Sequence, residues 1–151
     1  GGGGARAAGA AAAGEDLGFA EGAAEVRRCW RLSVLSGARE EAEYCVDEKL
    51  GQFVVKTTSP GGEQTTEYCP IMSIEDIFTI DDGENCFPPR LLASLSPEER
   101  KRLFLIDYVA DDPNVGRTGM YLVEASRSNL DELLRRLLLH VGDVARARIQ
   151  C

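Results

Sequence analysis

Between residues 43 and 58 the chain reads EYCVDEKLGQFVVKTT, with Tyr44 and Val46 on one face of a first short run and Phe53 and Val55 on one face of a second. Alternation with a period of two is the mark of a strand that buries one side. The linking DEKLGQ holds Gly51, which suits a hairpin turn that needs a positive φ. The same period occurs upstream in VRRCWRLSVL, where Trp30, Leu32 and Val34 alternate with Cys29, Arg31 and Ser33 and predict a first strand. SPGGEQ, after the hairpin, is a turn.

Downstream, a strand is expected around Tyr68, a break at Pro70 and a further strand over 77–80. DDGENCFPPRLLA reads as a polar, proline-bearing excursion. In SPEERKRL, Ser96, Pro97 and Glu99 fit the N-cap, first-turn and capping-box positions of a helix of one or two turns. LFLIDYV, residues 103–109, is almost continuously apolar, as a strand covered on both faces would be. ADDPNVGRTG is a loop and MYLVEA one more strand. Finally, Leu130, Leu133, Leu134, Leu137, Leu138 and Val141 recur at helical spacing and form one stripe, with Ser128 as the expected N-cap and either Gly142 as the stop or DVARAR as a helical extension beyond it. Seven short strands joined by local hairpins and followed by one amphipathic helix predict a mainly β fold. Its form is an antiparallel barrel or bent sandwich whose open end the C-terminal helix covers.

Composition divides the chain. Residues 1–24 are nearly all Gly and Ala and offer almost nothing to bury, so a disordered tail is expected there and one folded domain over 25–148. A formal net charge of -8 opposes binding to nucleic acid or to an acidic lipid surface unless basic residues cluster. The five cysteines, at 29, 45, 69, 86 and 151, are odd in number and widely spaced, with no Cys-x-x-Cys pair, which suits a reducing compartment. No apolar run reaches the length of a membrane span. Because the chain opens on Gly1 and not Met, a removed leader or a fragment is expected, and a lipidation signal at the true start would lie outside it.

The order of elements resembles the pleckstrin-homology fold. More narrowly, YCVDEKLGQFVVKTTSPGGEQTTEYCPIMSIEDIFTI together with SPEERKRLFLIDY resembles the inner membrane complex sub-compartment proteins of alveolate protists, small pleckstrin-like proteins of the cortical membrane sacs, over about residues 26–148. The resemblance implies seven antiparallel strands in two sheets with a helical cap. It also implies a membrane-associated scaffold acting on the cytoplasmic side of a cortical compartment, with proteins of that membrane and cytoskeleton as partners. Anchoring through acylated N-terminal Gly and Cys residues is implied by kinship only, since none of that start is present here. A second departure is that the tryptophan usual in the pleckstrin-type helix is missing; the only one is Trp30, so leucines are expected to fill its place.

Lipid-binding members of the fold converge Lys and Arg on the first two strands and their loop. Here that segment, Ser36 to Glu43, carries Arg39 against Glu40, Glu41 and Glu43, so phosphoinositide binding is doubtful. Arg28, Arg31 and Lys56 are the candidates for a residual basic patch and keep anionic-lipid targeting as the alternative function. Arg146 and Arg148 are explained by favouring the negative end of a helix.

No catalytic constellation emerges. His140 is the only histidine and flanks the leucine stripe, where a packed or hydrogen-bonded role is expected. Cys45 and Cys69 fall on strands, where a thiol behaves as a small packing group. GRTG, 116–119, lacks the ending of a phosphate loop and leads into a strand. Around Asp111, Asp112 and Asn114, aligning Gly116 with the glycine of a calcium loop puts Leu122 where the bidentate Glu belongs. Asp81, Asp82 and Glu84 read as a solvated acidic turn. The expectation is a non-enzymatic scaffold without cofactor or metal, its binding residues unassigned.

Overall fold

The structure, a computed structural model, describes residues 25–140, with side chains to Leu139. The expected tail over 1–24, and Val141, Gly142, Arg146, Arg148 and Cys151, lie outside the described residues.

Seven strands form one antiparallel sheet: β1 (Arg27–Leu32), β2 (Arg39–Asp47), β3 (Gln52–Thr58), β4 (Gln64–Pro70), β5 (Ile74–Thr79), β6 (Leu103–Val109) and β7 (Arg117–Glu124). Their order is β4-β3-β2-β1-β7-β6-β5, so β1 joins a four-stranded meander to a three-stranded one. β4 and β5 are the edges and do not pair with each other; the sheet is bent into a cup, a sandwich and not a closed barrel. Pro70 ends β4 as expected, and a single 3-10 turn, Ile71–Ser73, carries the chain across the gap to β5. β5 starts three residues before the expected 77–80 strand and stops one before its end.

Alternation sends side chains to two cores. Tyr44, Val46, Phe53, Val55, Phe104, Ile106, Met120 and Leu122 fill the concave side. The quoted hairpin is therefore cup wall, with Gly51 at φ 64° in its turn. Its other face is not all solvent, because Cys45 and Val54 are buried too.

The helix α3 (Arg127–His140) closes the cup. Leu130, Leu133 and Leu137 are buried in the concave core, Leu134 packs against it and Leu138 is half-buried. The stripe is thus narrower than expected. At about 1.5–3 kcal/mol for each fully buried side chain, the three innermost leucines contribute roughly 5–9 kcal/mol before entropy is charged. The cap is Ser126 and not Ser128: its Oγ accepts from the Asn129 N–H at 3.1 Å.

The second core corrects the reading of 81–93 as a merely polar excursion. Pro89 stands at N1 of a short helix, α1 (Pro89–Ala93), and brings Leu91 and Leu92 with Phe87 and Leu95 onto the convex side of β1, β6 and β7. Leu32, Leu103, Leu105 and Val123 meet them there. β6 is consequently covered on both faces, and its bounds are those the apolar run predicts. Trp30 packs at the rim of this outer core, on the opposite side of the sheet from α3, while its neighbour Cys29 turns into the cup. The expected single buried face of β1 is therefore wrong at two points: Cys29 is buried, and Val34 lies beyond the strand at 43% exposure. The next helix, α2 (Pro97–Arg100), has the expected capping box, with Glu99 N–H donating to Ser96 Oγ at 3.1 Å and Ser96 N–H to Glu99 Oε1 at 2.9 Å.

Candidate docking surface at the mouth of the cup

One end of the cup is framed by the β1–β2 loop, residues 33–38, and the β3–β4 turn, residues 59–63. A groove of about 800 Å³ runs between them over the ends of β2, β3 and β4. The loop is shorter than expected and holds no cation: SVLSGA closes on itself through Ser33 N–H to Ala38 O and Gly37 N–H to Ser33 O, both 2.8 Å. Gly37 at φ 74° allows that closure, and its α-carbon sits so near Ser94 that an added Cβ would lie 3.3 Å from the Ser94 Cβ. Val34 and Leu35 are left exposed, Leu35 at 83%.

Arg39, Glu40, Glu41 and Glu43, expected in the loop, belong to β2, and alternation separates them. Glu41 and Glu43 pair in register with Trp30 and Arg28. Glu40 stands opposite Arg31 in the β1–β2 register and lines the mouth together with Glu63 and Glu67. The three residues proposed as a basic patch are divided in the same way. Arg28 and Lys56 both stand in register with Glu43 and line a separate groove of about 350 Å³ that also contains Glu41. Arg31, three positions from Arg28, points to the concave side.

Both arginines of the mouth are committed. Arg31 spans from β1 to β4 and donates to the two oxygens of Glu67, Nε to Oε1 at 2.9 Å and Nη2 to Oε2 at 3.1 Å. Arg39 grips Glu99 of α2 with Nη1 to Oε2 at 2.7 Å and Nη2 to Oε1 at 3.2 Å, and its guanidinium lies 5.6 Å from the centre of the Trp30 ring. The Arg39 side chain, together with the Ser96 N–H, holds the Glu99 carboxyl at about 2, well below its usual 4.5. A fork-to-fork pair satisfies a guanidinium's geometry as well as its charge, so neither arginine is a free anchor for a phosphate. Beneath the groove, Thr57 is 7% exposed and its Oγ1 is the single buried side-chain oxygen or nitrogen among the described residues with no hydrogen-bond partner.

The other candidate groups fall to structural work. Burial pushes the Cys69 thiol up to about 12 and Cys45 up to about 11, and raises Cys29 further still, which leaves them protonated at neutral pH. His140 ends α3, and its side chain lies outside the described set. GRTG spans the turn into β7, with Gly116 at φ 67° and Arg117 donating to Asp107 and Asp76. Asp112 caps its own loop through Asn114 N–H at 2.9 Å. In the acidic turn, Asp82 accepts from Thr79 N–H at 2.8 Å, Asp81 pairs with Arg127 at 2.8 Å and Glu84 lies 3.8 Å from Arg100. No three His, Cys, Asp or Glu side chains among the described residues converge on a point where a metal ion would sit.

Sequence reasoning missed Glu124. It closes the last strand, is fully buried, and its Oε2 accepts the Tyr44 hydroxyl while Oε1 accepts the Ser126 N–H at 3.0 Å. The burial and this bond raise the pKa of Tyr44 above its usual 10.

Among solved structures the chain is similar to that of S. officinalis PLC21, with a TM-score of 0.53 at 13% identity. The match covers 76% of this chain and 15% of that one. With the strand order and the helical cap, it decides the architecture. The fold is pleckstrin-homology-like. At that identity the likeness speaks for fold alone, and this pleckstrin-like domain corresponds to a small part of the larger chain. No protein-family model and no curated protein matches it. Among the described residues, no helix of the pleckstrin-like domain is long and apolar enough to cross a membrane.

Proposed function

We propose that this chain is a non-enzymatic scaffold or adaptor domain that mediates protein–protein interaction at the cytoplasmic face of a cortical membrane compartment, of the kind formed by the inner membrane complex. The observation that carries the reading is the neutralised mouth. Where lipid-binding members of the fold converge free cations, Arg31 and Arg39 are locked to Glu67 and Glu99, and Glu40 and Glu63 add negative charge. Freeing both arginines for a headgroup would forfeit two bidentate pairs, each worth about 1 kcal/mol at a partly exposed site, and would set the incoming phosphates beside carboxylates. The three buried, protonated thiols of Cys29, Cys45 and Cys69 support a packing role for those side chains. The cortical location rests on the resemblance of its sequence phrases to those of the inner membrane complex proteins.

Flotation with phosphoinositide-containing liposomes at about 0.05 M and about 0.15 M salt tests the reading against its rival, anionic-lipid targeting, because electrostatic capture weakens as salt rises. Absence of headgroup-selective binding is expected at both. Tight, selective, salt-sensitive capture would establish the rival.

A further inference from the structure

The mouth is more than an unused lipid site, because three features in it are left without a partner. Glu40 and Glu63 line the groove and take part in no ion pair among the described residues. The Thr57 hydroxyl is buried against the same groove with nothing to bond. Val34 and Leu35 expose apolar surface along its edge, at 43% and 83%. A buried hydroxyl without a partner costs free energy, and such exceptions call for an explanation. The combination of negative charge, a hydrogen-bonding group and an apolar edge matches one kind of side chain: a long aliphatic stem with a cationic head that carries several N–H donors.

We propose that this groove receives a Lys or Arg side chain of an extended basic peptide segment in a partner protein. Glu40 and Glu63 take the charge, Thr57 Oγ1 accepts an N–H, and Val34 and Leu35 cover the aliphatic stem. The inference rests on the scaffold reading and names the partner's chemistry. The net charge of -8 steers such a segment toward the domain, and the groove decides where it docks.

The test is fluorescence anisotropy of a labelled alternating Arg–Ser octapeptide titrated with the full chain. Two variants remove the same charge from different places: Glu40→Gln/Glu63→Gln at the mouth and Glu41→Gln/Glu43→Gln, which lie off the mouth groove. The mouth pair is expected to weaken binding at least about tenfold, the control pair by less than about threefold. Thr57→Val is expected to weaken binding while leaving the melting temperature of the free protein unchanged or higher, since it deletes an unsatisfied hydroxyl. Equal loss from both pairs would reduce the effect to the general field and overturn the groove. So would unaltered peptide affinity in Thr57→Val, or a lowered melting temperature in that variant, which would reveal a structural bond. Liposome flotation of the same samples separates the two levels. No peptide binding together with no lipid capture refutes the groove and leaves the scaffold reading to another surface; headgroup-selective capture refutes the scaffold reading itself.

Discussion

Replacing Tyr44 with Phe removes one oxygen from the best-buried polar contact in the cup. Tyr44 is 3% exposed and Glu124 0%, so no water takes the place of the missing hydroxyl at Glu124 Oε2. Ring volume is almost unchanged, and the Tyr44 ring keeps its tilted contact with Phe53 at 5.5 Å between centres, so the cavity contribution is small. What is lost is a hydrogen bond to a buried carboxylate, worth about 1.5–3 kcal/mol. For a domain of this size about 2 kcal/mol corresponds to a fall of roughly 8 °C in melting temperature. Urea unfolding followed by far-ultraviolet circular dichroism, and independently by Trp30 fluorescence, gives the free energy. Glu124→Gln keeps an acceptor for the Ser126 N–H, and the double variant closes a cycle whose coupling should be about 1 kcal/mol or more. A Tyr44→Phe protein within about 0.5 kcal/mol of the parent, or strictly additive single effects, would refute the claim that this pair ties β2 to the end of β7.

Leu137→Ala should cost about 2–5 kcal/mol in the same urea assay, whereas Leu139→Ala, at a position 76% exposed, should stay within about 0.5 kcal/mol. Glu99→Gln tests the Arg39 clasp through pH. The folded carboxyl sits at about 2 against 4.5, so its contribution is fully present above pH 4.5 and is lost as pH falls toward about 2. The unfolding free energies from urea titration should then differ by about 1 kcal/mol at pH 7 and converge near pH 2. Of the four described cysteines, alkylation mapped by mass spectrometry should find Cys86, half-exposed, reacting first, and Cys29, Cys45 and Cys69 only after urea is added.

The elements that the sequence specified locally are those the structure reproduces. LFLIDYV predicts β6 because buried strands on both faces leave no polar alternation, and Ser96, Pro97 and Glu99 predict α2 because a capping box is a three-residue interaction. The outer core was hidden because FPPRLLASL has neither helical nor strand period; Leu91 and Leu92 are buried by a five-residue helix whose start is set by Pro89. The cap of α3 was displaced by two residues because Ser126 and Ser128 offer the same chemistry, and only the end of β7 decides between them. In the mouth, the charge count of the segment 36–43 was legible and its geometry was not. Placing Glu41 and Glu43 away from the groove depends on where β2 begins, and pairing Arg31 with Glu67 and Arg39 with Glu99 joins residues 36 and 60 positions apart. The burial of Glu124 carried no signal in LVE beyond its position at the end of an apolar run.

Arg31 and Arg39, the cations of the mouth, are already bound to the carboxylates of Glu67 and Glu99. Titrating soluble inositol 1,4,5-trisphosphate into the ¹⁵N-labelled chain at about 0.05 M salt tests this directly, where electrostatic attraction is least screened. No saturating shift is expected at Arg31, Arg39 or the amides of residues 33–38 through millimolar headgroup. Saturation at those amides in the micromolar range, with the Arg31 and Arg39 guanidinium signals released from Glu67 and Glu99, would contradict it.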